Sequence, residues 1–369
     1  MNNVKPNGVA RRINWSAVLI EGRALIALAI IITIFALLSP NYLKPDNLII
    51  MTRHVAINAI VAMGMLLTIL HGGIDLSVGS TVGLSGIVAG YLLSGWDMPL
   101  TDMVAYPAVW VVIVVALGVG ALVGFINGWL VSRLNMAPFI ATLGMLYVGR
   151  GLAKVISNGL TFTRLLGDET LGNTGFLTLL AGKPLGIPAP VWVMIVVAML
   201  LSYLLTRTPF GRWLYGVGGN ERASQLSGVP WRKVKTRVYV ISGICSAIVG
   251  LLLAADLRAA TPRSGEFYEL NAIAAVVIGG TALSGGRGTI RGTLIGAFSI
   301  GFLVDGLVLV GVSAFWQEVI KGAVIILAVA VDQLQQRITK SRAADRATGP
   351  PDSPSPIAPE PKEVSGVST

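Results

Sequence analysis

Residues 58–90 read NAIVAMGMLLTILHGGIDLSVGSTVGLSGIVAG. An apolar helical pattern runs to Leu70, breaks at Gly72-Gly73, passes one carboxylate at Asp75, and resumes beyond Ser77 and Gly79. A charged break inside an apolar segment is costly in lipid, where no water reaches the freed backbone groups. It survives only where protein or a wet cavity satisfies it. The stretch has an echo at an offset of 213: residues 271–301, NAIAAVVIGGTALSGGRGTIRGTLIGAFSIG. Asn58-Ala59-Ile60 aligns with Asn271-Ala272-Ile273, and Gly72-Gly73 with Gly285-Gly286. Gly79 aligns with Gly292, and Gly83 with Gly296. Two interrupted segments in corresponding positions of two halves point to a transporter with an internal repeat.

Composition sets the class. The chain has 369 residues, 54% hydrophobic and only 12% charged, against roughly 25% charged in an average soluble domain. Its mean hydropathy is +0.74. These values describe an all-α polytopic membrane protein. One cysteine, Cys245, lies in an apolar run, so no disulfide can form within the chain. Two histidines and one cysteine, without ligand spacing, argue against a metal site. No G-x-x-x-x-G-K-[ST] sequence occurs, so ATP has no P-loop to bind on this chain. Residues 285–292, GGRGTIRG, depart from the dinucleotide pattern G-x-G-x-x-G. No Ser/His/Asp set or paired acids are apparent. The expectation is a transport protein, not an enzyme, without a cofactor of its own and driven by a gradient or a partner.

Residues 1–16 form a polar, basic segment. Apolar runs follow at about 17–38, 55–70, 76–94, 107–132, 137–157, 189–206, 237–255, 271–284, 290–311 and 315–333, so about ten transmembrane helices are expected, some short or broken. The first run is long enough to span and reads as a retained helix. With the N-terminus inside, 18 of the 28 Lys and Arg fall inside, 6 outside and 4 within spans. That bias predicts cytoplasmic N- and C-termini. It also accounts for the +10 net charge by anionic lipid on one face, with no need of nucleic acid. The membrane domain therefore covers 17–335, and the Pro/Ser-rich stretch 336–369 reads as a disordered cytoplasmic tail. The run 271–284 either spans or is re-entrant, and that choice decides whether the repeat is parallel or inverted.

Several residues invite a role. Gly120, Gly124 and Gly128 make a small face for close helix packing, as do Gly79/Gly83 and Gly86/Gly90. Asp75 suits both a gate group and a cap on the helix that follows it. Asp305, inside a span, is either an ionic site or a helix-contact residue. Asn58, Asn127 and Asn271 can bond a polyhydroxylated ligand or each other. Within the basic loop 207–236, Asn220 is a plausible N-cap for a short helix, ERASQLSG, that ends at Gly228. Such a helix between two spans suits docking of another protein. The outer loop 158–188 reads as irregular, with room for a short interfacial helix.

GGIDLSVGS at 72–80, APFIATLGMLYVGRGLA at 137–153, the PFGR…GGN…SG loop at 209–228 and YELNAIAAVVIGGTALSGGRGT at 268–289 carry a resemblance. Over about residues 15–335 the chain resembles the permease subunit of bacterial ribose-type monosaccharide ABC importers. The resemblance implies an inner-membrane permease domain that pairs with a second permease subunit. Such subunits accept sugar from a periplasmic binding protein and are driven by a cytoplasmic ATPase that binds ATP and Mg. It makes 207–236 the coupling loop, with Asn220, Glu221, Arg222, Ala223, Gln225 and Gly228 at the ATPase. Gly72, Gly73, Asp75, Ser77 and Gly79, with Gly285, Gly286 and Gly292, become hinge or gate elements near the cytoplasmic side. Asn58, Asn127, Asn271 and Asp305 are candidates for the substrate path. The family commonly has Asp where this chain has Asn271, and Asn where it has Asp305. A related permease for branched-chain amino acids or nucleosides remains an alternative, and so does an ion-coupled secondary transporter with Asp305 as its ion site.

Overall fold

The computed structural model describes residues 15–97, 103–327 and 329–330. It is helical apart from two short paired strands, β1 (Trp96–Asp97) and β2 (Val104–Ala105). The helices are α1 (Trp15–Leu38), α2 (Pro45–Leu70), α3 (Val78–Ser94), α4 (Val109–Arg133), α5 (Pro138–Ser157), α6 (Phe176–Ala181) and α7 (Ala189–Arg207). They continue with α8 (Pro209–Gly219), α9 (Glu221–Leu226), α10 (Trp231–Leu257), α11 (Tyr268–Ile278) and α12 (Ile290–Leu309). A further helix, α13, covers residues 314–327. Six of them, α2, α4, α5, α7, α10 and α12, are long and apolar enough to cross a membrane. The segment before residue 15 and the tail 336–369 lie outside the described residues.

The core is built around α2. From Val55 to Leu70 it is buried on every side except at Asn58, by α7, α10, α11 and α12. A helix that is apolar all round is one that packs all round. α10 is the second buried rod and carries α3 and α4 on its other flank; α5 lies on α3, and α1 on α12. The glycine face of α4 makes the closest approach. Gly120 lies against Gly243, Gly124 against Tyr239 and Val240, and Gly128 against Thr236, all on α10. Without a hydrophobic drive between helices in lipid, such backbone proximity supplies the dispersion contacts that hold them. Gly86 meets Gly250 in the same way, joining α3 to α10.

Several boundaries differ from the sequence expectation. α2 begins at Pro45, ten residues before the run expected at 55. Asn47, Arg53 and His54 mask its apolar signal, yet each is satisfied by a partner: Asn47 bonds the Tyr42 carbonyl, Arg53 meets Asp256, and His54 meets Asp305. α10 likewise starts at Trp231 and absorbs the basic residues expected in the loop. Pro209–Gly219, expected to leave the membrane as a loop, is the helix α8. α11 has only 11 residues, about 16 Å of helix against about 30 Å of hydrocarbon, so it does not span by itself. The loop 158–188 holds α6 and two single 3-10 turns. At the first of these turns Asp168 accepts the Thr170 N–H and hydroxyl, which holds its carboxyl below the usual carboxylate range.

The echo is kept locally and lost in the packing. α3 and α12 start one residue out of register, at Val78 and Ile290 for an offset of 213. But α12 packs back on α11, with Gly292 and Gly296 against Gly279 and Ala275, whereas α3 leaves α2 and packs on α4, α5 and α10.

Gly124→Leu puts a side chain into the Tyr239 backbone, whereas Gly118 of the same helix faces open space. Gly124→Leu is expected to destabilise the protein by about 1–3 kcal/mol or more, and Gly118→Leu to leave it unchanged. Thermal unfolding of both variants in detergent checks this; equal melting temperatures would contradict the α4–α10 contact.

Candidate functional site

Three glycine pairs converge where α2 ends. The Gly286 N–H donates to the Leu70 carbonyl at 2.9 Å. A Cβ on Gly285 would lie 3.0 Å from the Gly72 nitrogen and 2.9 Å from the Gly218 carbonyl oxygen. A Cβ on Gly218 would strike the Leu70 carbonyl and stand 2.7 Å from the Gly286 nitrogen. Both interruptions thus meet each other and the last turn of α8. Gly72, Gly285 and Gly286 have φ of +86°, +87° and +73°, which side chains other than glycine rarely adopt. The Tyr215 hydroxyl of α8 adds a bond to the Gly288 carbonyl at 2.8 Å, and burial raises that hydroxyl's pKa.

Beyond this hub the chain turns back into the bundle. Asp75 is buried and accepts from the Ser77 N–H (3.0 Å), the Ser77 hydroxyl (2.7 Å) and the Ser242 hydroxyl of α10 (3.0 Å). Asn127 of α4 donates to Ser77 Oγ at 2.8 Å. The carboxylate thus closes a turn onto Ser77 and makes no cap bond to the N–H groups of α3, and it fastens the break to two other helices. Ser242 lies well inside α10, so Asp75 and the start of α3 are packed into the bundle. His71 and Tyr239 close the network, their rings edge to face at 5.3 Å. His71 Nε2, Tyr239 Oη and Asn127 Oδ1 are buried without partners.

A second polar cluster lies toward the other end of α2. Arg53 meets Asp256 of α10 at 2.8 Å, and His54 Nδ1 meets Asp305 of α12 at 3.1 Å. Asn58 donates to the His54 carbonyl at 3.2 Å. The consecutive Arg53 and His54 lie about 100° apart on the helix, so they reach different neighbours. His54 to Leu70 is 16 residues, about 24 Å along the helix. Of the four candidates for the substrate path, Asn58 and Asp305 meet here. Asn127 belongs to the Asp75 network, and Asn271 sits half-buried on α11. The loop ahead of α11 is held by Arg150, which donates to the Pro262 and Ser264 carbonyls.

The short capped helix expected after Asn220 forms as α9. Asn220 accepts the Ala223 N–H at 2.9 Å, which caps it, and Gly228 turns the chain away with φ of +78°. Glu221 is anchored to Lys235 of α10 at 2.8 Å and accepts from Gln225. Arg222 and Ala223 are exposed, and Leu226 is 80% exposed. α9 follows α8 after one residue, so the exposed surface of α9 lies next to the hub along the chain.

The family model described as "Branched-chain amino acid transport system / permease component" matches residues 47–329. The chain belongs to this permease family. The permease is 42% identical to the ribose import permease protein RbsC of Escherichia coli (strain K12), covering 88% of this chain and 98% of that relative. RbsC of Bacillus subtilis (strain 168) is 45% identical over 88% and 96%. The xylose transport system permease protein XylH of Escherichia coli (strain K12) is 34% identical over 80% and 87%. No solved structure matches the permease significantly.

Sequence reasoning missed Gly218, Ser242, Tyr239, Arg53, His54 and Asp256. Ser242 carries no signal without its neighbours, and Gly218, though within the GGN of the 209–228 motif, gives no sign of what it approaches. Arg53-His54 carries one, two ionisable residues at the edge of an apolar run, and is obscured by being counted as loop.

Gly218 and Gly219 make a matched test. An added Cβ meets backbone at Gly218 and open space at Gly219. Gly218→Ala is expected to cost about 1–3 kcal/mol and several degrees of melting temperature, with Gly219→Ala near wild type. A Gly218→Ala protein that melts like wild type would refute the hub.

Proposed function

We propose that this permease is the transmembrane, pore-forming subunit of an ATP-driven importer for a monosaccharide, ribose or a related pentose. The near-full-length similarity to proteins named ribose import permeases carries this reading. The chain performs no hydrolysis. A separate cytoplasmic ATPase binds ATP and Mg, a periplasmic binding protein delivers the sugar, and a second permease subunit completes the pore. The protein sits in the inner membrane with both termini cytoplasmic. There are ten crossings, by α1–α5, α7 and α10–α13; α11 and the segment that follows it make one crossing together.

The Leu70 end of α2 is then the cytoplasmic end. Movement of the ATPase enters at Arg222, Gln225 and Leu226 on α9 and passes through Asn220 into α8. Gly218 presses on Leu70 and Gly286, so a shift of α8 displaces both interruptions together. That is a gate in the sense of two backbone breaks moved by one lever. Asn58, Asp305 and the neighbouring His54 offer donors and acceptors to sugar hydroxyls in the outer half of the path. Asn271 is the fourth candidate on that side. Asp305 bonds His54 Nδ1 at 3.1 Å, which supports a role as a helix-contact residue over ion coupling.

Two experiments test this. The purified chain, its ATPase and its binding protein are reconstituted in liposomes. Uptake of labelled ribose or xylose is expected to require ATP and to survive an uncoupler; uptake driven by a proton or sodium gradient without ATP would favour the secondary transporter, and uptake of leucine alone the branched-chain reading. Gln225→Trp is expected to reduce ATPase co-purification severalfold, and unchanged co-purification would remove α9 as the dock.

A further inference from the structure

α4 has two faces. Gly120, Gly124 and Gly128 turn to α10, while Trp110, Val114, Leu122, Phe125 and Trp129 are exposed at helical spacing on the other side. This exposed face is apolar along its length, as a face against acyl chains is. At its end it runs into a groove of about 610 Å³ lined by Phe125, Trp129 and Arg133 of α4 and by Arg232, Lys233, Thr236 and Arg237 of α10. The Ser132–Thr236 hydroxyl bond, 2.9 Å, ties the two helices beside it.

The chemistry of the groove is lopsided. Four exposed cations line it and no carboxylate does. None of the four pairs with a carboxylate among the described residues. Arg133 ends α4 and Arg232 and Lys233 begin α10, while Arg237 stands one turn above Lys233. Like charges gathered on two separate helices repel unless an anion sits among them. The wall above them is aromatic, with Phe125 51% and Trp129 44% exposed. A cationic floor under an exposed aromatic wall, where spanning helices end, matches the boundary between headgroups and acyl chains.

We propose that this groove binds an anionic phospholipid, its phosphate among Arg133, Arg232, Lys233 and Arg237 and an acyl chain along Phe125 and Trp129. Free phosphate would satisfy the cations and leave the aromatic wall unused. A second copy of the chain related by a twofold through this face would bring the same four cations against themselves. The inference requires that the protein lie in a membrane and is independent of which solute it carries.

The test uses the full chain in nanodiscs. Tail-brominated phosphatidylglycerol or tail-brominated phosphatidylcholine is added at equal mole fraction. Trp129 quenching is taken as the difference between wild type and Trp129→Phe. Quenching by phosphatidylglycerol is expected to half-saturate at a severalfold lower mole fraction than by phosphatidylcholine. In Arg133→Gln/Lys233→Gln that preference is expected to vanish. Arg164→Gln/Arg263→Gln, which removes the same charge from exposed loops, is expected to keep it. Equal quenching by the two lipids would overturn the proposal, as would a preference that persists in Arg133→Gln/Lys233→Gln. Displacement by millimolar inorganic phosphate would show a free-anion site instead. No quenching by either lipid would show the face covered by protein. The wild-type comparison stands even if the charge variant fails to fold.

Discussion

The two broken helices are joined by one hydrogen bond, from the Gly286 N–H to the Leu70 carbonyl, and the packing around it follows from that contact. In lipid each backbone group freed by a break must find a partner inside the protein. Here two breaks, one from each half of the chain, satisfy one another. Glycine permits it at 218, 285 and 286 because three backbones approach within the space a single Cβ would fill, and at 72 because φ there is +86°. The same constraint that makes the breaks tolerable makes them inseparable from α8, and through α8 from the short helix α9.

α2 gives this hub its reach. It is a rod buried on nearly all sides, with backbone bonds at one end and ion pairs toward the other. Arg53 and His54 point to α10 and α12 respectively, each to one carboxylate. Charges within a spanning helix persist only when paired or wetted, and these are both paired and partly open. A stiff, close-packed element therefore joins Leu70 to a polar cluster about 24 Å away.

The departures at 271 and 305 also acquire a physical setting. Asp305 meets His54 Nδ1 at 3.1 Å, and the nearby Phe302 carbonyl accepts the Tyr42 hydroxyl at 3.0 Å. A carboxylate placed at 305 thus enters a corner of the fold already organised by α1, α2 and α12. Asn271 lies half-buried on the short α11, where a neutral amide needs no counter-charge.

Much of this was legible in the residues. Hydropathy located every long spanning helix, because an apolar run is the direct record of contact with lipid or core. The capped helix at 221–226 was readable from Asn220 and Gly228, since capping is a local interaction. The GGIDLSVGS and AVVIGGTALSGGRGT stretches were enough to name the family. Helix starts were less legible. Pro45–Arg53 and Trp231–Arg237 look like loop because their charges are visible and their partners, 14 to 251 residues away, are not. The repeat shows the difference most clearly. By itself the sequence determined that two similar interruptions exist and that a membrane must accommodate them. Only the tertiary structure decided that they pair with each other, that Asp75 turns inward to Ser242, and that α8 closes the hub. Those outcomes are set by backbone contacts between distant segments, and a glycine's neighbours in space leave no trace in its neighbours along the chain.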